Sequence, residues 1–444
     1  MKKQILPFLF LLSSSAFAIE VNFEQDSNLP LVYVNVAVRG GTIDDPIGQS
    51  GISDFLGEML LRGTKSRSKE QIDLTLDQMG ARIEVETTPE SLILRGAVLS
   101  SQIDPFLKLL TEIVSQPSFP ENEIRKLKSE TVSKILEELS NDGGLAKRKV
   151  YQFLFKNHPY GNSAIGKTDE IKKLTQTQLL THYNRMFKDH RLLVVGTGDA
   201  DPSKIKYWAD ALSLLREGGE EPTLVPPPRN PTHRKILLVD KPDRTQTQIF
   251  GGQVGVSMKD PDFFPLYLGN YAFGGGSFSA RLMVEIRVKR GWSYGANSNF
   301  RHGRQPRSWM FHLFPAAKDT PQALGFTLHM IEELRDKGIT EKEFEFSKQS
   351  LINSEGFMYN TPQKRVENKL IEKTFDLPEG FMKSYGSNLE KVTLEQTNSA
   401  LRDFLKPDKL SIVVLCTAKE MKEKLSKAVG VMADDIEVAP YTQE

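Results

Sequence analysis

The sequence repeats itself once at long range, and this duplication is the strongest constraint on the fold. The segment "SFPENEIRKLKSE" (residues 118–130) has a counterpart in "GITEKEFEFSKQS" (residues 338–350), where two glutamates and a lysine recur at an offset of 220 residues. A second pair of segments, residues 174–201 and 392–420, is similar at an offset of about 218. A period this long, present in two copies, indicates a duplicated domain and not an array of short repeat units.

A stretch rich in proline and charge separates the two copies. Residues 216–235 hold five prolines and two glycines, a composition that breaks helices and central strands and is typical of an interdomain linker. We therefore place an N-terminal domain at residues 19–222, a linker at 223–231 and a C-terminal domain at 232–444. The length of 444 residues suits two domains of roughly 200 residues each.

Helical and strand patterns are mixed within each copy. Residues 30–38 alternate with period two and are rich in valine, which predicts a strand. Residues 51–63 place four apolar side chains on one helical face, with Gly63 as the expected C-cap. We expect the fold class α+β, with each of the two duplicated domains built as a largely antiparallel sheet covered by helices.

The first 18 residues have the pattern of a cleavable secretory signal. Lys2 and Lys3 precede an apolar run at residues 5–12, and the small-x-small sequence from Ala16 to Ala18 marks a cleavage site before Ile19. The apolar run is much shorter than the roughly 20 residues of a membrane-spanning helix, which argues against an uncleaved anchor. We therefore predict a signal peptide at residues 1–18, secretion to a periplasm and no membrane insertion after signal removal.

Charge and cysteine content exclude several classes of function. The chain has 58 basic and 57 acidic residues and no basic block, so we expect no nucleic-acid partner. The single cysteine, Cys416, lies in the apolar run "LSIVVLCTA" and cannot form an internal disulfide or a cysteine-based zinc site. Its neighbours predict a buried strand thiol and not a nucleophile.

Three segments, together with the duplication, resemble one peptidase family. They are "RGGTIDDPIGQSGISDFLGEMLLRGTKSRS" (residues 39–68), "KNHPYGNSAIGKTDEI" (156–171) and "GGGSFSARLMVEIRVKRGWSY" (274–294). In these the chain looks like the pitrilysin/insulinase-type zinc peptidases, the inverted zincins that include the mitochondrial processing peptidase. The resemblance covers nearly the whole chain after residue 18, and it implies a processing-peptidase-like fold.

The zinc motif of that family is degenerate here. Active members carry H-x-x-E-H on a helix, where two histidines one turn apart bind Zn²⁺ and the glutamate is the general base. The matching positions are Asp54, Gly57 and Glu58, and residues 131–136 stand near the expected third ligand. The resemblance thus implies no metal or other cofactor in this chain and no activity of the chain alone. One alternative is an independent hydrolase or hard-cation site built on Asp54 and Glu58, but two carboxylates one turn apart are typical of a solvated face.

A second family motif is present. In active members an arginine and a tyrosine, seven residues apart, reach the zinc site from the C-terminal domain, hold the substrate backbone and stabilise the oxyanion. Arg287 and Tyr294 match this motif, although Arg287 taken alone would be interpreted as a solvated helix charge.

Some bacterial members of the family divide the two motifs between subunits. The resemblance therefore implies a non-metal-binding subunit of a heterodimeric zinc metallopeptidase, in which Arg287 and Tyr294 act in the partner's site. The partner would be a homologous secreted subunit that carries H-x-x-E-H and zinc, and the substrate an extended or unfolded peptide. The alternative is a non-catalytic scaffold or peptide-binding protein of the same fold.

Overall fold

The computed structural model describes residues 19–216, 218 and 223–443. The expected signal peptide, residues 1–18, lies outside the described residues, as do residues 217 and 219–222 at the end of the expected N-terminal domain. Within the described ranges, no helix combines the length and the apolar character needed to cross a membrane.

The N-terminal half forms one five-stranded sheet with helices around it. The strand order of this first sheet is β1-β5-β2-β4-β3, and only the β1–β5 pairing is parallel. The elements are β1 (Glu20–Gln25), β2 (Leu31–Arg39), α1 (Ile52–Leu60), α2 (Lys69–Met79), β3 (Arg82–Thr87), β4 (Ser91–Leu99), α3 (Ile103–Ser115), α4 (Glu121–Ser140), α5 (Asp142–Leu154), α6 (Thr168–Lys173), α7 (Gln176–Met186), β5 (Leu192–Gly198) and α8 (Pro202–Leu215).

The C-terminal half forms a six-stranded second sheet in the order β11-β6-β10-β7-β9-β8. The pairings of β6 with β10 and β11 are parallel, and the other three are antiparallel. The elements are β6 (Lys235–Asp240), β7 (Gln248–Val254), α9 (Phe263–Asn270), β8 (Ser293–Phe300), β9 (Ser308–Pro315), α10 (Thr320–Lys337), α11 (Glu341–Glu355), α12 (Pro362–Thr374), α13 (Tyr385–Glu390), α14 (Leu394–Phe404), β10 (Ser411–Cys416), α15 (Ala418–Val429) and β11 (Ile436–Pro440). Both halves are therefore mixed α and β, and both sheets have mixed strand orientation.

The duplication is visible in individual polar contacts. Lys128 Nζ donates to the carbonyl of Lys172 at 3.0 Å, and its counterpart Lys348 donates to the carbonyl of Val392 at 2.9 Å. In the same way Arg62 pairs with Glu123 in the first half, and Arg281 pairs with Glu343 in the second. The strand order β6-β10-β7-β9-β8 also repeats the order β1-β5-β2-β4-β3, with β11 added at the outer edge of β6.

The two halves exchange one helix each. Helix α5 of the N-terminal half packs on β6, β7 and β10 of the second sheet, and α12 of the C-terminal half packs on β2 and β5 of the first. Leu145 and Val150 of α5 share a core with Val413, and Val366 and Leu370 of α12 share another with residues of the first sheet. Each sheet is thus covered on one face by a helix from the other half.

Local sequence signals place most element ends. Helices α7 and α14, at matching positions in the two halves, both begin with a threonine capping box at Thr175 and Thr393. The prediction that Gly63 caps α1 is wrong, because the helix ends at Leu60 and Gly63 instead bridges to Ser68 with φ 146°. Burial raises the pKa of Cys416 to about 12, so this strand thiol stays protonated at neutral pH.

Candidate functional site

Helix α1 keeps the packing face that its sequence predicts. Phe55, Leu56, Met59 and Leu60 are all buried in the core of the N-terminal half. Asp45 caps the helix from a distance: its carboxylate accepts the N–H groups of Gly51 and Ser53, at 2.7 and 3.1 Å. These two donors would otherwise be unsatisfied at the helix start.

The degenerate zinc positions do not form a metal site. A Cβ at Gly57 would lie 2.6 Å from Cγ1 of Val85 on β3, so this position has no room for a side chain unless β3 moves. Burial raises the pKa of Asp54 to about 6, and the charge of Glu58 one turn away adds to the rise. Burial and a neighbouring like charge therefore both disfavour the ionised form of Asp54.

The residues near the expected third ligand, on α4, make other contacts. Glu130 of α4 pairs with Arg62 at 2.5 Å between Oε2 and Nη2, and Thr131 beside it is buried. In the part of the chain that the structure describes, no three histidine, cysteine, aspartate or glutamate side chains form a group that could hold a metal. The side chains at positions 54, 57 and 58 do not fit zinc, since they offer two carboxyl groups and no imidazole.

A buried serine–histidine contact lies at the start of α1, which the sequence did not reveal because the residues are far apart in the chain. Ser53 Oγ is 2.9 Å from Nε2 of His182 on α7. The guanidinium of Arg185, which can only donate, lies 3.3 Å from Nδ1, so Nδ1 accepts and Nε2 carries the proton. His182 therefore donates to Ser53 and cannot remove its proton. The contact joins α7 to α1.

The structure brings Arg287 and Tyr294 into direct contact. Arg287 lies on a π-helical segment, Met283–Lys289, and Tyr294 is the second residue of β8. The guanidinium carbon lies 4.4 Å from the centre of the Tyr294 ring and 5.0 Å from that of Phe278. Arg287 is thus held against two aromatic rings, which orient its planar donors without hydrogen bonding to them.

This arginine differs from the other cations of its segment. Arg281 pairs with Glu343, and both Lys289 and Arg290 pair with Glu285. Among the described residues, no carboxylate lies within 4.0 Å of the Arg287 guanidinium. The hydrogen-bonding capacity of Arg287 is therefore open to a ligand.

The aromatic partners are exposed to solvent. Tyr294 is 73% exposed and Phe278 is 63% exposed, which is unusual for large aromatic side chains outside an interaction site. Phe278 was missed in the sequence, where its only signal is an apolar residue within the polar run "GGGSFSAR". The glycines of that run have a packing role: a Cβ at Gly274 would lie 2.2 Å from Ser298 Oγ on β8. The close approach of this turn to β8 places Phe278 in contact with Arg287.

The Arg/Tyr pair and the degenerate zinc helix belong to different halves. Helix α1 packs on β3, β4, α4 and α7, all in the N-terminal half, while the Arg/Tyr pair lies on β8 and the segment before it. The arrangement can therefore supply a cation and a phenol to a bound ligand, while the described residues at α1 form no group that could hold a metal.

Comparisons with known proteins agree with these observations. Residues 20–168 match the family described as Insulinase (Peptidase family M16), and residues 173–351 match the Peptidase M16 inactive domain. A relative from Helicobacter pylori, described as the non-peptidase homolog YmxG, is 24% identical over 91% of this chain and 93% of its own length.

Solved structures share the fold. The peptidase M16 inactive domain from Pseudomonas fluorescens superposes with a TM-score of 0.84 at 24% identity, over 90% of this chain and 96% of that one. The periplasmic protease PqqL from Escherichia coli gives a TM-score of 0.75 at 13% identity, over 93% of this chain but 49% of that one. With both halves matched, the chain belongs to the M16 family of insulinase-like peptidases, and its sequence contains no H-x-x-E-H motif.

Proposed function

We propose that this chain is the metal-free subunit of a heterodimeric zinc peptidase and is inactive alone. A homologous subunit with an intact H-x-x-E-H motif supplies the zinc and the general base. Arg287 and Tyr294 complete that partner's site by binding the substrate backbone and the oxyanion that forms on the scissile carbonyl. The observation that carries this proposal is the open guanidinium of Arg287, held between two exposed aromatic rings.

The likeness to relatives supports pairing and export. PqqL is about twice as long as the part that this chain matches, so that relative joins in one chain what two chains of this length would supply. PqqL is also described as periplasmic, which accords with the secretory pattern of residues 1–18 and with a periplasmic location. The substrate is an extended peptide, which adds as a strand at a sheet edge such as β8, the last strand of the second sheet.

The test is peptide hydrolysis by the mixed complex. Each chain and the mixture are assayed with an unfolded peptide substrate, and Arg287→Ala is introduced into this chain. We expect activity only in the mixture, loss of about 100-fold or more in kcat/KM with Arg287→Ala, and unchanged assembly by gel filtration. The matched control is Lys289→Ala, an exposed cation of the same segment, which should leave the rate unchanged. Unchanged kcat/KM with Arg287→Ala would contradict the proposal.

A second candidate is a non-catalytic peptide-binding protein. The description of the Helicobacter pylori relative as a non-peptidase homolog favours it. The same experiment separates the two: peptide binding by the single chain, with no hydrolysis in any mixture, would support the second candidate.

A further inference from the structure

The two sheets differ at one edge. In the second sheet, β11 pairs in parallel with the outer edge of β6. The counterpart of β6 in the first sheet is β1, and among the described residues no strand pairs with its outer edge. The duplicated fold therefore has one strand position that is filled in the C-terminal half and open in the N-terminal half.

The backbone groups of β1 are directed to receive a strand. The N–H of Asp26 donates to the carbonyl of Gly198 on β5, so the N–H groups of Val21, Phe23 and Gln25 point away from β5. The same alternation holds in β6, where Lys241 donates to β10 and the carbonyl of Asp240 accepts from the segment after β11. Three residues of β1 thus present unpaired main-chain groups outward.

A cleft lies between β1 and α12, next to this edge. A cavity of about 850 Å³ is lined by residues 21–24 of β1, by Thr197 of β5 and by parts of α12 and residues 379–383. The cavity also touches residues 195–197 of β5, so it lies over the paired strands β1 and β5, beside the open edge. Thr197 Oγ1 is buried there without a hydrogen-bond partner among the described residues.

Helices α5 and α12 also correspond in the way they lie beside the outer edges of β6 and β1. Lys149 of α5 donates to the carbonyl of Gln443, in the segment that follows β11. The residue 220 positions later, Lys369 of α12, lines the cleft beside β1. A lysine that binds the added chain in the second sheet therefore has its counterpart next to the open edge of the first.

We propose that the outer edge of β1 is a binding site for one extended polypeptide segment, which adds as a parallel strand in the position that β11 fills in the second sheet. Lys369 and Glu379 in the cleft pair with each other, so recognition rests on the main chain with little selection for side-chain charge. The occupant is a single extended segment, because the corresponding position of the second sheet is filled by the single strand β11. This site joins β1 of the N-terminal half to α12 and residues 379–383 of the C-terminal half, and it does not depend on the role of the Arg/Tyr pair.

The test uses a labelled peptide with the sequence of residues 436–443, the chain's own edge strand, added to the purified full chain. We expect saturable binding by fluorescence anisotropy and slower amide exchange of residues 20–25 by mass spectrometry. Gln25→Pro removes one outward N–H at an exposed strand end, and should weaken binding about three- to tenfold. Gln25→Ala keeps that N–H and should bind like the parent chain.

Other results would overturn the proposal. They are the absence of saturable binding, and protection of residues 235–240 instead of 20–25, which would mean that the peptide only replaces β11. A third is a dimer of this chain that forms without peptide and is lost with Gln25→Pro, since the occupant would then be a second copy. If Gln25→Pro fails to fold, amide exchange of the parent chain still shows whether the peptide protects residues 20–25 or residues 235–240.

Discussion

At the scale of single residues, the contact between Arg287 and Tyr294 allows the roles of ring and hydroxyl to be separated. The ring orients the guanidinium by stacking at 4.4 Å, whereas the hydroxyl is one further donor for a substrate oxygen. Phe278 supplies a second ring on the same guanidinium, so the arginine stays oriented when the tyrosine loses only its hydroxyl.

Tyr294→Phe should therefore lower kcat of the mixed complex by about 100-fold while KM changes little, because a donor to the transition state is lost and the stacking is kept. Steady-state kinetics of the mixed complex measure this split. Phe278→Ala, which leaves the hydroxyl in place, should instead raise KM. Wild-type kcat in Tyr294→Phe would mean that the tyrosine serves only to pack Arg287.

His182 gives a second residue-scale prediction, based on its proton. Burial, with the charges of Arg185 and Arg191, lowers the pKa of His182 from 6.5 to about 3. The folded chain therefore keeps the imidazole neutral, while the unfolded chain binds a proton below pH 6.5. The stability that His182 contributes is complete above pH 6.5 and falls as the pH drops toward 3.

His182→Gln should destabilise the chain by about 1–3 kcal/mol at pH 7.5, because the contact with Ser53 is lost. This difference between variant and parent should shrink by about 1.4 kcal/mol for each pH unit below 6.5. Urea unfolding at pH 7.5 and pH 5.5 measures it, with His329→Gln on the exposed face of α10 as the control. A difference that does not change with pH would contradict the assignment of a neutral, buried His182.

Sequence reasoning could find some of these residues but not others. The spacing of Arg287 and Tyr294 is a local signal, and the structure places the two in contact. The contact of Ser53 with His182 joins residues 129 positions apart, and no local pattern indicates it. Phe278 lies close to Arg287 in the sequence, but it belongs to no helical or strand pattern that would predict its contact. It follows a glycine turn whose path is set by close packing on β8.

At the scale of elements, α1 combines a buried apolar face with a glycine in the helix interior. Its apolar face is buried, and Gly57 lets the helix approach β3 so closely that a Cβ would lie 2.6 Å from Val85. Glycine is otherwise a poor residue for a helix interior, costing about 1 kcal/mol relative to alanine. The close approach explains why the helix tolerates it.

Gly57→Ala should therefore destabilise the chain, by about 1–3 kcal/mol of overpacking that outweighs the gain in helix propensity. In the background of Val85→Ala, where the blocking methyl is absent, the same substitution should stabilise by up to about 1 kcal/mol. Thermal unfolding of the four proteins in this cycle measures the reversal. Destabilisation of equal size in both backgrounds would show that Val85 is not the obstacle.

Regular elements were predictable wherever the signal is local. The alternation of residues 30–38 predicted β2, and the threonines before α7 and α14 mark both helix starts. The end of α1 was misplaced because Gly63 serves a bridge to Ser68, a contact between neighbouring segments and not part of the helix. The π-helical segments around the Arg/Tyr pair carry no signal that distinguishes them from ordinary helices.

At the scale of the whole molecule, the exchange of α5 and α12 makes the halves depend on each other. The sequence indicated a duplication, but it could not indicate that each copy covers the other's sheet, because the apolar face of a helix does not specify its partner. Leu145 of α5 is fully buried against the second sheet, and Leu370 of α12 is 3% exposed against the first. Each half alone would expose both a helix face and a sheet face to water.

Residues 19–222 and 232–444, produced separately, should therefore be insoluble or loosely packed, and co-expression should restore a soluble pair with native circular dichroism. Leu145→Asp in the first fragment should abolish this rescue, because a charge would be buried against the second sheet without a partner. Leu74→Asp, on the exposed side of α2, should leave the rescue intact. A single half that unfolds cooperatively on its own would show that the exchanged helices are dispensable, and that the two copies are independent domains joined by a linker.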